Sequence, residues 1–220
     1  MITGIFGLTG AGKSTLLAWC ADRALKNKPI YIGRWPQRCY ITDPNIYERV
    51  YTNFEMSGCY KLDFNALGRQ TFENSLLLID EISLLCDSRN YKEFDEATKY
   101  FFTHHRKYCT DIIWCGQSYM DTDVKIRRLT KQFCFVEAAR FGRSRVTPIA
   151  KILEVSPQGQ IVEGFAEASR WGSTFLNRRK YYALFDSFER RQLRPNRATL
   201  WLPPQITPSQ EEEKEKSEAL

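Results

Sequence analysis

Apolar residues in this chain gather into short runs separated by polar turns. Met1 to Phe6 reads as a short buried strand. A glycine-rich turn leads from it into a helix over Lys13 to about Lys26, which Leu16, Leu17, Ala18 and Ala21 support. Pro29 to Gly33 predicts a second strand, Arg34 to Asn45 with its two prolines a loop, and Arg49 to Phe54 a further strand. Ser75 to Asp80 is an apolar run closed by an acid. Phe94, Ala97, Tyr100, Phe101 and His104 recur near the 3.6-residue period and predict a helix over Tyr91 to Lys107. Asp111 to Gly116 reads as a strand, Asp123 to Leu129 as a short helix and Gln132 to Ala138 as a strand. This alternation predicts an α/β fold: a mostly parallel sheet with helices on both faces.

The pattern changes after Phe141. Residues 146–155, 160–166 and 180–186 predict short strands, with Ser156 to Gly159 a hairpin turn. The expected organisation is a core over 1–141, a β-rich extension over 142–194 packed on it, and a polar, acidic tail over 195–220. That tail is too rich in Pro, Gln and Glu to build a core and is expected to be disordered. No internal repeat is read.

Composition narrows the class. At 220 residues with 43% hydrophobic content, the chain suits one globular domain with additions. Its seven cysteines form no Cys-x-x-Cys pair and no zinc-like spacing with His104 or His105, which points to reduced thiols in a cytosolic compartment. No signal peptide is expected, because the first strand begins at once. The most apolar stretch, Leu76 to Cys86, is broken by Asp80 and Glu81, so no transmembrane segment is expected either. The formal net charge is +6, yet residues 211–220 carry −3, which leaves +9 on the rest. Ala139 to Arg197 alone carries twelve Lys and Arg against five acids. Such a surplus suits a nucleic-acid backbone or an acidic partner, and equally a solvated basic face.

The first chemical signal is Gly7-Leu8-Thr9-Gly10-Ala11-Gly12-Lys13-Ser14-Thr15, which fits G-x-x-x-x-G-K-[ST] between a strand and a helix. A loop around a triphosphate turns successive N–H groups inward, and the following helix aims its N-terminal partial charge at the phosphates. Lys13 is expected at the β- and γ-phosphates of ATP, and the Ser14 hydroxyl on Mg²⁺. An ordinary glycine turn ahead of a helix is the plainer reading, and the flanking elements argue against it.

The second signal is the apolar strand ending in Asp80-Glu81. Asp80 is expected to hold Mg²⁺ through water, and Glu81 to polarise the attacking water. Gln117, at the tip of Asp111 to Gly116, is the expected γ-phosphate sensor. A sensor strand lying between the phosphate-loop strand and the acidic strand is the arrangement of the additional-strand, catalytic-glutamate P-loop ATPases. Arg106, Arg127 and Arg128 are candidates for an arginine acting from a neighbouring subunit, or are surface charge or nucleic-acid contacts.

The order of these motifs resembles the zonula occludens toxin-like family, which includes the assembly ATPases of filamentous bacteriophages. That family lies within the HerA/FtsK group, together with viral DNA-packaging ATPases. The likeness covers about residues 1–190. It rests on the phosphate loop, Tyr51-Thr52-Asn53, Leu78-Ile79-Asp80-Glu81, His105 to Ile113 running on to Gln117, Asp123 to Leu129, and Tyr182 to Ser187. It implies a homo-oligomeric ATPase, with a ring as one such form, that moves DNA during virus assembly, by genome packaging or virion morphogenesis. Capsid or membrane assembly proteins are implied partners. The implied place is the host cytoplasm or the virion, or the periphery of a membrane through those partners. Filamentous-phage members resemble an ATPase followed by a transmembrane segment, and the lack of one here moves weight from extrusion towards a soluble motor. Two rivals stand beside this reading. One is an ATP-bound scaffold or switch that recruits assembly proteins without moving DNA. The other is a small-molecule kinase, against which Asp80-Glu81 argues.

Overall fold

The chain's central strands are apolar on both sides, and each face of the sheet they form is covered. In the computed structural model, residues 1–33, 38–43, 46–84, 96–120, 122–155, 161–167 and 172–185 are described. They all belong to one compact unit, Met1–Ser187. The main sheet runs in the order β10-β9-β8-β1-β7-β6-β4-β5, with β11 also pairing β9. Its parallel part comprises β1 (Ile2–Phe6), β4 (Arg49–Thr52), β5 (Tyr60–Lys61), β6 (Ser75–Ile79), β7 (Asp111–Gly116) and β8 (Gln132–Ala139). The antiparallel part is β9 (Arg143–Val155), β10 (Ile161–Glu167) and β11 (Thr174–Asn177).

Side chains alternate between two cores. Ile5, Leu76, Leu78, Ile113, Cys115, Cys134 and Val136 meet Leu16, Leu17 and Ala21 of α1 (Lys13–Leu25) on one face. Ile2, Leu77, Ile79, Ile112, Trp114 and Phe133 meet Phe101 and Phe102 of α2 (Glu96–His104) and Ile126 of α3 (Val124–Leu129) on the other. Strands apolar at every position are what a sheet with two covered faces requires. Gly4 lies where β1 passes Trp114 and Phe133. A Cβ there would stand 2.5 Å from the indole and 2.9 Å from the Phe133 ring, so the central strand accepts nothing larger. The indole N–H of Trp114, fully buried, donates to Thr130 Oγ1 at 3.0 Å.

Several expectations need correction. Pro29 to Gly33 holds the expected strand, β2 (Tyr31–Ile32), but the stretch read as loop holds one too, β3 (Cys39–Tyr40), and the two pair with each other in a sheet separate from the main one. Of the strand expected over 180–186, the described residues 180–185 form none beyond an isolated bridge from Phe185 to Met56. A 3₁₀ turn over Arg178–Lys180 and further turns stand there, and the strand lies earlier, at β11. Tyr60–Lys61 pairs in parallel with β4 although its pattern is too short to be read as a strand. The helix from α2 ends at His104 and continues as a 3₁₀ turn over His105–Tyr108; residues 91–95 of the expected helix lie outside the described residues. The hairpin turn expected at Ser156 to Gly159 and the tail over 195–220 also lie outside them.

Six cysteines among the described residues are unpaired thiols, and Cys86 lies outside the described set. Burial pushes the thiols of Cys20, Cys115 and Cys134 well up, so they pack as small apolar groups. Among the described residues, no helix is long and apolar enough to cross a membrane.

Candidate nucleotide site

Four strand tips meet at one edge of the sheet. β1, β7, β6 and β4 are parallel neighbours, so the residues just past their carboxyl ends lie side by side: Gly7, Gln117, Asp80 and Asn53. That edge is where open parallel sheets bind ligands.

The loop from Gly7 to Gly12 joins β1 to α1 at the centre of this edge. Gly7 passes so close to β8 that a Cβ would stand 2.2 Å from Val136 O. Gly12 caps α1 with φ 99°, a left-handed geometry that glycine adopts without steric cost. No acid occupies the first turn of α1, so the positive end of the helix is not neutralised locally. The first amides of any helix lack intrahelical partners, which suits this end to an anion.

Lys13 is buried, and its ammonium donates to Gly7 O at 2.8 Å and Leu8 O at 3.2 Å. Ala11 N–H closes the turn on Leu8 O at 3.1 Å. The Thr15 side chain is buried, and Leu8 in the loop is 79% exposed. Thr9 Oγ1 approaches Gln117 Oε1 at 3.4 Å, a long contact between two exposed side chains. The loop and the sensor position are therefore neighbours.

Ser14 and Asp80, 66 positions apart, are joined directly: the hydroxyl donates to Asp80 Oδ2 at 2.6 Å. Burial raises the Asp80 pKa above the ordinary carboxylate value. The Ser14 hydrogen bond opposes that rise, the Glu81 charge adds to it, and the Lys13 charge and the Glu81 N–H oppose it. A half-buried carboxylate short of compensation, paired with a hydroxyl at the foot of an anion-binding loop, is a donor set that a hard cation fits.

Asn53 was not among the site residues expected from the pattern, yet it grips Asp80 from both sides. Its Nδ2 donates to Asp80 O at 2.7 Å, and its Oδ1 accepts from Asp80 N at 2.7 Å. The available signal was its place just past an apolar strand, as with Asp80 itself. Glu81 adopts φ 52°. For a residue other than glycine that geometry costs roughly 1–2 kcal/mol, and strain of this kind concentrates at functional sites. The Glu81 N–H donates to Asp80 Oδ1 at 3.1 Å, and its carboxylate accepts from Ser83 Oγ at 3.0 Å.

None of the three expected arginines has a described contact with the loop. Arg106 follows α2 at the opposite edge, before β7 begins, where its charge acts on Asp43 and His105. Arg127 stacks on the Tyr119 ring at 4.6 Å and reaches Met120 Sδ at 3.2 Å, while Arg128 is exposed on α3. The arginine that reaches the loop is Arg178, whose Nη1 donates to Gly10 O at 2.8 Å.

This is an α/β P-loop fold. The families that the motifs resemble stand among the solved structures similar to this chain. The N-terminal domain of zonular occludens toxin from Neisseria meningitidis shares 16% identity over 84% of this chain and 98% of that one, with a TM-score of 0.46. The genome packaging NTPase B204 from Sulfolobus turreted icosahedral virus 2, in complex with ATP-gammaS, shares 11% over 74% and 95%, with a TM-score of 0.46. The flagellar accessory protein FlaH from Methanocaldococcus jannaschii shares 13% over 75% and 89%, with a TM-score of 0.44. No protein-family model and no curated protein sequence matches the chain.

Proposed function

We propose that the chain is an ATPase whose hydrolysis powers DNA movement in virus assembly. The observation that carries the ATPase reading is the 2.6 Å hydrogen bond from Ser14 to Asp80, which ties the foot of the phosphate loop to the acid at the tip of a strand two places away. In this reading the loop amides and Lys13 bind the triphosphate. Ser14 directly and Asp80 through water would hold Mg²⁺, whose chemistry there would be charge neutralisation on the triphosphate. Asn53 keeps Asp80 in place. Glu81 orients the attacking water as general base, and Gln117, beside Thr9, detects the γ-phosphate.

DNA as the moved partner is supported by the motif order and by the positive surplus in Ala139 to Arg197. We take the working form to be a homo-oligomer, with one of Arg106, Arg127 or Arg128 completing a neighbour's site, acting in the host cytoplasm or on the virion. The test is the rate of phosphate release with and without single- and double-stranded DNA. Stimulation by either supports the motor. Hydrolysis indifferent to both, with nucleotide-dependent capture of assembly proteins, favours a scaffold instead.

A further inference from the structure

Two carbonyls of the phosphate loop, Gly10 O and Ala11 O, are held from outside it, by groups on β9 and in the turn after β11. Gly10 O accepts from Arg178 Nη1 at 2.8 Å, Ala11 O from Ser144 Oγ at 2.5 Å, and Gly12 O from Leu16 N at 3.0 Å. Ser144 is the second residue of β9, and Arg178 opens the turn after β11. The β9–β11 pairing sets Leu176 opposite Ser144 and Asn177 opposite Arg143, which brings both groups to one place. Asn177 Oδ1 accepts from Arg179 N at 3.2 Å and fixes the turn that aims Arg178. Gly12 permits the approach: a Cβ there would lie 2.3 Å from Ser144 Oγ and 2.8 Å from Arg178 Cδ.

We propose that Arg178, assisted by Ser144, is a positioning residue for nucleotide binding that fixes the loop's carbonyls outward so that its amides face the polyphosphate. The proposal rests on the nucleotide-binding reading above. Two features separate Arg178 from a plain staple. Its guanidinium is a permanent charge set against a loop built for an anion, where it adds to the attraction for phosphate. Its Nε is buried with no hydrogen-bond partner among the described residues, so the side chain is held at a cost that packing alone does not explain. Arg178 is absent from the apolar pattern and from the loop motif, since its role depends on a backbone carbonyl 168 positions away.

The test measures binding of a fluorescent ATP analogue, steady-state kcat and KM with Mg²⁺, and Tm. The proteins are the parent chain, Lys13→Ala, Arg178→Ala, Arg178→Lys and Ser144→Ala. Arg178→Ala should weaken binding and raise KM about tenfold, the scale of one charge-assisted hydrogen bond. Its kcat should stay within about twofold, because the loss is in uniform binding. Arg178→Lys, which keeps the charge, should recover most of the affinity, and Ser144→Ala should shift KM in the same direction by less. If Arg178→Ala does not fold, Ser144→Ala decides: a raised KM at constant kcat supports the proposal, and an unchanged KM overturns it. A parent that binds while Lys13→Ala does not, with Arg178→Ala binding as the parent does, overturns the Arg178 assignment alone. Equal losses of Tm in Arg178→Ala and Arg178→Lys with KM unmoved also overturn it. A folded parent that binds no nucleotide defeats the reading beneath it.

Discussion

The two parts of the main sheet serve the nucleotide loop in different ways. In the parallel part, β1, β7, β6 and β4 deliver side chains: Lys13, Gln117, Asp80, Glu81 and Asn53 all follow strand ends at one edge. In the antiparallel part, β9 and β11 deliver support, since Ser144 and Arg178 bind the backbone of the loop itself. The contrast teaches that a phosphate site has an inner and an outer surface. In the proposed reading, inner groups act on the ligand, and outer groups set which way the loop's dipoles point.

Substitutions on the inner surface should have the largest effects. Lys13→Ala removes a buried cation and should abolish tight triphosphate binding, read as loss of ATP-analogue titration at concentrations that saturate the parent. Glu81→Gln should bind ATP as the parent does and lower kcat by about 10²–10⁴-fold, the usual contribution of a general base. If single-turnover phosphate release were unchanged in Glu81→Gln, another group would be orienting the water. Asn53→Ala frees Asp80 from its backbone clamp and should cost roughly 10–100-fold in metal affinity or activity, the range for groups that orient a ligand.

Asp80 sharpens the comparison through pH. Its folded pKa is raised, so between the ordinary carboxylate value and the raised value the folded chain binds more protons than the unfolded chain. Stability from this group is therefore fully present below the ordinary value and is lost as pH rises through the raised one. Asp80→Asn should raise Tm at neutral pH, flatten that part of the stability profile and remove hydrolysis. A lower Tm for Asp80→Asn at neutral pH would mean that the ionised carboxylate stabilises the fold. The smallest effect is expected at Arg128, exposed on α3. Arg128→Ala should change stability by no more than about 0.5 kcal/mol and leave nucleotide binding intact. Lost turnover with binding retained would mark Arg128 as the group acting on a neighbour's site.

The inner surface was largely legible in the sequence because each of its parts is local. An apolar strand followed by glycines and Lys13-Ser14 requires a loop, and an apolar strand followed by Asp80-Glu81 places acids at an edge. The order β1-β7-β6 came from likeness to the additional-strand P-loop ATPases rather than from this pattern, and the sheet has that order. Asn53 escaped notice as a site residue because its partners are Asp80 backbone atoms, which no residue type announces. β11 and Arg178 escaped for a related reason. Thr174–Asn177 is too short and too mixed to show a period, and its place is set by pairing with β9. β2 was legible as an apolar run, while its partner β3 and their pairing were not, because an apolar run does not say which strand it will pair with.

The most direct test of the site is how far ATP affinity depends on Mg²⁺ in the parent, Ser14→Ala and Asp80→Asn. If the loop and the β6 acid share one metal-bound triphosphate, chelating Mg²⁺ should weaken parent binding at least about tenfold, given that outer ligands to a metal already matter on that scale. Both variants should then bind near the chelated parent's level with little further change. A parent indifferent to chelation, or an Asp80→Asn chain with the full Mg²⁺ dependence, would contradict the account.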